Sequence, residues 1–405
     1  VPAANKGSTA AVTAGFLGWT LDAFDYFLVV MSLTAIAREF HKSVPQMAWA
    51  ITLTLACRPV GAFLFGLVAD RYGRRLPLMV DLILFSVIEV LSGLAPGYRS
   101  FLLLRAIFGI AMGGEWGVGA SLAMEKVPAA LRGVLSGLLQ EGYAAGYLLA
   151  AVAYSFVFPH YGWRPLFFIG GAPALLAVFI RFGVSESEAW EREQAGSWSQ
   201  LGSGIVAHLP TFGYLVLLMT MLNLASHGTQ DIYPAFLENV RHLNVHQRSH
   251  LTEISMVGAI LGGLAFGKLS DGLGRRRAMV LAFCGALVAI PLWAFSQQAA
   301  LVVVGAFALQ FMVQGAWGVV PAHLVELSPP AIRGFLPGFS YQMGNLIAAG
   351  IVLFETHAAG QFGYPRTLAL SAAIIFVLGA IVTAVGPERR GAAFGQSVPI
   401  GVDRG

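Results

Sequence analysis

The sequence predicts an all-α membrane protein, with twelve transmembrane helices arranged as two six-helix pseudo-symmetric bundles. Three observations carry that expectation. The composition is unsuited to a water-facing surface, apolar stretches of membrane-spanning length recur along the chain, and a repeat relates the first half to the second.

Of 405 residues, 57% are hydrophobic and 11% charged, against roughly 25% charged in a soluble domain. With so few charges, lipid must surround most of the surface. The 48 Gly and 28 Phe suit helices that pack closely in a bilayer. The net charge of +4 resides in short loops between apolar runs, so no nucleic-acid partner is expected. Cys57 and Cys284 each lie inside an apolar run. Their spacing offers neither a metal site nor a disulfide framework, and both are read as buried thiols. No nucleophile–base arrangement, phosphate loop or metal cluster stands out, so neither an enzyme nor a cofactor is expected.

Spans are predicted near 13–38, 47–69, 76–95, 100–125, 133–158 and 164–183, then near 211–238, 249–269, 277–296, 299–325, 334–358 and 365–386. Each has about the 20 residues a helix needs to cross a bilayer, or more. The organisation is therefore an N-terminal bundle (1–183), a linker (184–210) and a C-terminal bundle with a short tail (211–405). The charged stretch Ser185–Glu193 is amphipathic and is expected on the membrane surface. Residues 1–11 lack the charged-then-apolar layout of a cleavable signal, so the first span is expected to act as the insertion signal. Lys and Arg crowd the loops on the side of the N-terminus, among them Arg71, Arg74, Arg75, Lys126, Arg132, Arg275, Arg276, Arg277 and Arg333. That bias places both termini in the cytoplasm of a multi-pass protein of the cell's inner (plasma) membrane.

Shifted by 201 residues, the chain matches itself. Gly66, Asp70, Gly73, Arg74 and Arg75 map onto Gly267, Asp271, Gly274, Arg275 and Arg276. Trp116 maps onto Trp317, and Glu125, Pro128, Arg132 and Gly133 map onto Glu326, Pro329, Arg333 and Gly334. Six spans per half give both copies the same topology, related by an axis along the membrane normal.

The motif Gly66-x-x-x-Asp70-Arg71-x-Gly73-Arg74-Arg75, its second copy at 267–276, and Arg105-x-x-x-Gly109-x-x-x-Gly113 in the fourth span resemble the major facilitator superfamily. The seventh span, Asn223-x-x-Ser226-His227-x-Thr229-Gln230-Asp231, is similar to the signature of its lactate/pyruvate:proton symporters. Ala235 stands where that pattern has Thr. Asp22-Ala23-Phe24-Asp25 and Gly113-Gly114-Glu115-Trp116-Gly117 also resemble the related sialic acid:proton symporters. The resemblance implies a monomeric, proton-coupled carrier of small monocarboxylates working by alternating access, with membrane lipid as its surroundings. Lactate and pyruvate come first as substrates. The alternatives are a sialic acid:proton symporter or a substrate sensor with a transporter fold.

The motif loops join helices through a Gly that permits a tight turn. Asp70 and Asp271 are expected to accept hydrogen bonds from the start of the next helix and to pair with Arg74 and Arg275. Glu125 with Arg132, and Glu326 with Arg333, are expected to add a pair within each half. The resemblance implies that these eight residues latch the halves on the cytoplasmic side.

Ionisable groups inside a bilayer are costly and mark pathways. Arg58, Arg105, Glu115 and Glu141 map onto Ala259, Ala306, Ala316 and Gln342, so they are not needed to build both halves. Arg58 falls near the middle of its span, the depth of substrate sites in repeat-built carriers. Its planar fork suits a carboxylate. Asn223, His227, Gln230 and Asp231 share a face of the seventh span. With Gln140, Tyr341 and Asn345 they complete the expected substrate site. Proton coupling needs a group that changes charge, and low dielectric disfavours a charged carboxylate. The candidates are Asp22, Asp25, Glu115, Glu141, His227 and Asp231. Arg105 is expected either to tune an acid or to brace its helix. Gly109, Gly113, Gly117, Gly142 and Gly146 are read as close-packing positions.

Overall fold

The computed structural model describes residues 6–171, 183–193, 198–230, 233, 236–237, 240–243, 245–392 and 394. In the first half, α1 is Lys6–Glu39, α2 Val44–Tyr72, α3 Arg75–Gly93, α4 Tyr98–Lys126, α5 Arg132–Gln140, α6 Gly142–Tyr161 and α7 Arg164–Ile169. Between the halves lie α8 (Glu188–Glu193) and α9 (Trp198–Ala207). The second half has α10 Leu209–Gln230, α11 Val245–Leu273, α12 Arg275–Phe295, α13 Ala299–Leu327, α14 Leu336–Ala348, α15 Ile351–Phe362 and α16 Tyr364–Val385.

Among the described residues, ten helical stretches are long and apolar enough to cross a membrane. The other two expected spans are the sixth, of which 172–182 lie outside the described residues, and the eleventh, divided between α14 and α15. The repeat reappears in the helix boundaries. Shifting α2 by 201 residues gives the bounds of α11, and the same shift takes α4 onto α13 and the 3-10 turn Ala129–Leu131 onto Pro330–Ile332.

Local chemistry explains the boundaries. Ser43 caps α2 in a reciprocal box: its Oγ accepts from Gln46 N–H at 3.3 Å, and Gln46 Oε1 accepts from Ser43 N–H at 3.0 Å. Gly73 and Gly274 end their helices at φ 103°, a conformation that a side chain would disfavour. Where α2 crosses α4, a methyl at Gly113 would lie 2.0 Å from the Arg58 carbonyl. The bare backbone there lets α4 seat against the turn that carries Arg58.

Across the interface, α5 packs on α11 and α14 on α2. Large apolar side chains such as Val288, Leu370 and Val385 face outward, as lipid-facing positions must. Cys284 is also exposed and Cys57 only half-buried. The expectation of two buried thiols was wrong, because an apolar run in a membrane helix is equally compatible with facing lipid.

Candidate transport site

A cavity with an empty volume of about 510 Å³ lies between the two bundles. The N-terminal half contributes Trp19 and Tyr26 from α1, Leu55 and Arg58 from α2, and Gln140 and Tyr143 around the α5–α6 junction. The C-terminal half contributes Asn223, Ser226, His227 and Gln230 from α10, Gln314 and Trp317 from α13, and Tyr341 and Asn345 from α14. Seven of the expected substrate residues thus meet in one place: Arg58, Gln140, Asn223, His227, Gln230, Tyr341 and Asn345. Asp231 lies outside the described residues, as do Pro234 and Ala235.

Arg58 is 5% exposed. It is the only Lys, Arg, Asp or Glu among the described residues that line this cavity. Its Nη2 lies 3.9 Å from Asp22 Oδ2, longer than a charge-assisted hydrogen bond. The guanidinium also touches Met112 Sδ and stands 5.8 Å from the centre of the Tyr26 ring. The cation therefore has a loosely held counter-ion behind it and an aromatic face beside it.

The wall opposite is polar and, among the described residues, carries no carboxylate, Lys or Arg. His227 Nε2 is 3.1 Å from Asn345 Oδ1. Gln314 Nε2 donates to Ser226 Oγ at 3.1 Å, and Gln230 Nε2 to Gln310 Oε1 at 2.8 Å. Asn223 Nδ2 donates to the Met219 carbonyl of its own helix. Aromatic rings close the latch-side floor: Tyr341 sits 4.8 Å from Trp116, 5.4 Å from Trp317 and 6.3 Å from Trp19, centre to centre. Trp116 Nε1 donates to Gln140 Oε1 at 3.1 Å. Trp19, Tyr26, Tyr143 and Trp317 are not recognisable in the sequence as lining residues, because aromatics on apolar helices read as core; Gln314, a single amide in an apolar span, is missed as well. The repeat held a clue: Tyr26 is the positional equivalent of His227, and Gln140 of Tyr341.

The acids expected to couple protons do not line the cavity. Asp22, Asp25 and Glu115 are buried inside the N-terminal bundle, and none of their carboxyl oxygens has a hydrogen-bond partner. Glu115 is seated on Gly18 of α1, and Asp25 shares a niche at Gly170 with Glu89. Asp81 is buried in the same bundle, also without a hydrogen-bond partner. Arg105 Nη2 donates to Glu89 Oε2 at 2.6 Å and also to Ser92, so it braces α4 against α3. Glu141 lies away from the cavity, against α11 of the other half.

At one end of the bundle the halves are joined by two related latches. Asp70 accepts from the backbone N–H of Gly334 at 2.7 Å and Phe335 at 2.9 Å, and from Arg74 Nη1 at 2.6 Å. Asp271 accepts from Gly133 at 2.8 Å, Val134 at 3.2 Å and Arg275 Nη1 at 2.9 Å. Each aspartate therefore caps a helix of the opposite half, not the start of the next helix as the motif spacing suggests. Glutamates from elsewhere do that second job. Glu186 accepts from Arg74 and Arg75 N–H, both at 3.1 Å. Glu388 accepts from Arg275 N–H at 2.5 Å and Arg276 N–H at 3.3 Å.

The expected pairs within each half are likewise corrected. Glu125 lies 3.2 Å from Arg74 and 3.8 Å from Arg333, whereas Glu326 lies 3.0 Å from Arg275 and 3.7 Å from Arg132. The second arginine of each set comes from the other half, because the pseudo-twofold relation brings the two loops face to face. The segment around Ser185–Glu191 is docked here as well: Trp190 Nε1 donates to the Asp70 carbonyl at 2.8 Å. Glu186 and Trp190 thus tie this segment to the motif loop, while Glu188 and Glu191 are exposed.

Away from the latches, a second void of about 1120 Å³ adjoins the first. It shares Tyr26, Tyr143, His227 and Gln230 with it and extends to Val30, Leu251 and Trp293. The molecule is held shut at the latch end and hollow toward the other.

Two helical bundles with a polar chamber between them, closed at one end by ties that cross the interface, define a membrane transporter and not an enzyme. The chain belongs to the major facilitator superfamily: the Major Facilitator Superfamily profile matches residues 15–245, and that of "Sugar (and other) transporter" matches residues 217–388. It is 30% identical to a carboxylic acid transporter protein homolog of Saccharomyces cerevisiae over 89% of this chain; the match spans 62% of the yeast protein. It is 28% identical to the sialic acid transporter NanX of Escherichia coli over 93% of this chain and 94% of that one. The fold is shared with the proton:xylose symporter XylE, at a TM-score of 0.80 and 17% identity over 97% of this chain and 98% of that one.

Proposed function

We propose that this protein is a proton-coupled symporter of small carboxylates working by alternating access, with lactate or pyruvate as first candidates. The observation that carries the reading is Arg58: a buried guanidinium, the one Lys, Arg, Asp or Glu among the described lining residues, facing a polar wall. A bilayer-embedded cation without a tight counter-ion favours an anionic ligand. A carboxylate can take both prongs of its fork. The substrate's substituents would then meet His227, Asn345, Gln230 and Ser226.

Asp22, 3.9 Å behind Arg58, supplies the coupling. When the substrate takes over the guanidinium, the displaced acid is neutralised by a proton, and Asp25 and Glu115 extend the buried store. The net charge moved through the low-dielectric core is thereby kept small. The motif end is assigned to the cytoplasm by its Lys and Arg content, and the protein to the inner (plasma) membrane as a monomer.

A second reading is a sialic acid:proton symporter. The aromatic floor of Trp19, Tyr143, Trp317 and Tyr341 favours it, since a three-carbon acid needs little of that surface. Proteoliposome uptake of lactate, pyruvate and sialic acid, each with and without an imposed proton gradient, tests both. Accumulation of one acid driven by the gradient is expected. Uptake indifferent to the gradient removes the coupling, and no uptake of any carboxylate removes the substrate class.

A further inference from the structure

The interface between the halves contains a carboxyl group where packing asks for none. Along α5, Gly133, Gly137 and Glu141 follow one another at single-turn intervals. They face Gly267 and Gly263 of α11: a methyl at Gly133 would lie 2.2 Å from the Gly267 carbonyl, and one at Gly137 2.5 Å from the Gly263 carbonyl. Glu141 ends this row. It stands at the break between α5 and α6, is 4% exposed, and has no hydrogen-bond partner for Oε1. A methyl at Gly263 would lie 1.8 Å from that oxygen, so the carboxyl fills the space a side chain would have taken.

The other interface is built on the same plan with two chemical differences, Gln342 in place of Glu141 and Ala62 in place of Gly263. Gly334, Gly338 and Gln342 repeat Gly133, Gly137 and Glu141 at the 201-residue shift, and Ala62 and Gly66 repeat Gly263 and Gly267. An amide serves at 342, so packing does not require an acid at 141. Nor, among the described residues, does a partner cation explain it. Asp22 and Asp25 on α1, Glu115 on α4, Lys268 and Asp271 on α11 and His323 on α13 belong to the helices around it. None makes an ion pair or hydrogen bond with it.

We propose that Glu141 is a second proton site, occupied while the latch end is closed and emptied when it opens. A charged carboxylate whose Oε1 is buried against Gly263, with no cation paired to it among the described residues, is poorly stabilised. The closed interface therefore favours the protonated acid. When α5 leaves α11, water reaches the carboxyl and the proton departs on the latch side. This builds on the symporter reading and adds where the proton is released, and its test does not need the substrate.

Spin labels at Tyr72 and Leu273, exposed positions at the latch ends of α2 and α11, report the distance between the halves by double electron–electron resonance. In the parent protein the open fraction should rise with pH, by up to about tenfold per unit if one proton is tied to the closed state. Glu141→Gln should hold the latch end closed at every pH, with the slope gone. Gly263→Ala, which displaces the carboxyl without removing it, should raise the open fraction even at low pH. A Glu141→Gln protein that keeps the parent's pH slope overturns the proposal, as does a Gly263→Ala protein that stays as closed as the parent. Either result can arise whether or not lactate is carried, so it is separable from failure of the substrate reading.

Discussion

Arg333 approaches Glu125 of the opposite bundle to 3.8 Å, while Arg74 of the same bundle holds that glutamate at 3.2 Å. The acid is thus shared between an arginine that always accompanies it and one that comes only with closure. Asp70 is shared in the same way between Arg74 and the backbone of Gly334 and Phe335. Only the contacts across the interface bias the conformational equilibrium, because the others persist in both states.

The first prediction follows. Asp70→Asn weakens two charge-assisted hydrogen bonds that exist only when the latch is closed, each worth about 1.5–3 kcal/mol. The closed-to-open ratio should fall by at least about tenfold. Asp271→Asn should act alike at the partner latch. Distances between labels across the latch end check this, and an unchanged distribution would show that the ties are incidental to closure.

The glutamate caps yield a different outcome. Glu186 and Glu388 each bind two free N–H groups at the first turn of α3 or α12, inside their own halves. Their replacement by Gln should lower stability by about 0.5–2 kcal/mol apiece. The two losses should add, since the sites share no partner. Thermal unfolding in detergent measures the loss. The latch equilibrium should move less than it does in Asp70→Asn.

Most of this architecture is legible in the sequence, and what is not has a physical pattern. Span positions and the 201-residue repeat were legible because bilayer thickness and duplication leave periodic marks. Arg58 and the α10 stripe were legible because charge and amide groups are conspicuous in an apolar background. What stayed hidden depends on which surfaces meet. The crossing of Glu125 to Arg333 and of Glu326 to Arg132 cannot be read from spacing, since each acid is nearer in sequence to the other arginine. Trp19, Tyr143 and Trp317 are chemically at home in a core, a membrane or a binding site alike. Glu355, fully buried and bonded to Ser371 Oγ at 2.6 Å, is inconspicuous within an apolar run.

Arg58 carries the sharpest test of substrate class. Arg58→Lys keeps the charge and loses the planar fork, so binding of a carboxylate should weaken by about tenfold or more, the worth of a charge-assisted hydrogen bond. Arg58→Ala should abolish it and leave Asp22 without its cation. Ligand-induced thermal stabilisation reads the change. Wild-type affinity in Arg58→Lys would remove the residue as anchor, even with the fold intact.

The buried acids set the response to pH. If each anion enters with a proton, lowering the pH on the entry side raises both the drive and the fraction of loaded carriers. Uptake should therefore grow as that side is acidified and fall as it is made alkaline. Glu115 is the cleanest residue to remove. Neither of its oxygens is hydrogen-bonded, and it rests on Gly18 within one bundle. Glu115→Gln is close in shape and should leave folding intact. In that variant, exchange of internal for external substrate should continue, because exchange needs no net proton movement, while accumulation against a gradient should fall, because the proton store beyond Asp22 is smaller. Loss of exchange together with accumulation would mean that Glu115 only helps the bundle move, and unchanged accumulation would mean that Asp22 and Asp25 carry the proton without it.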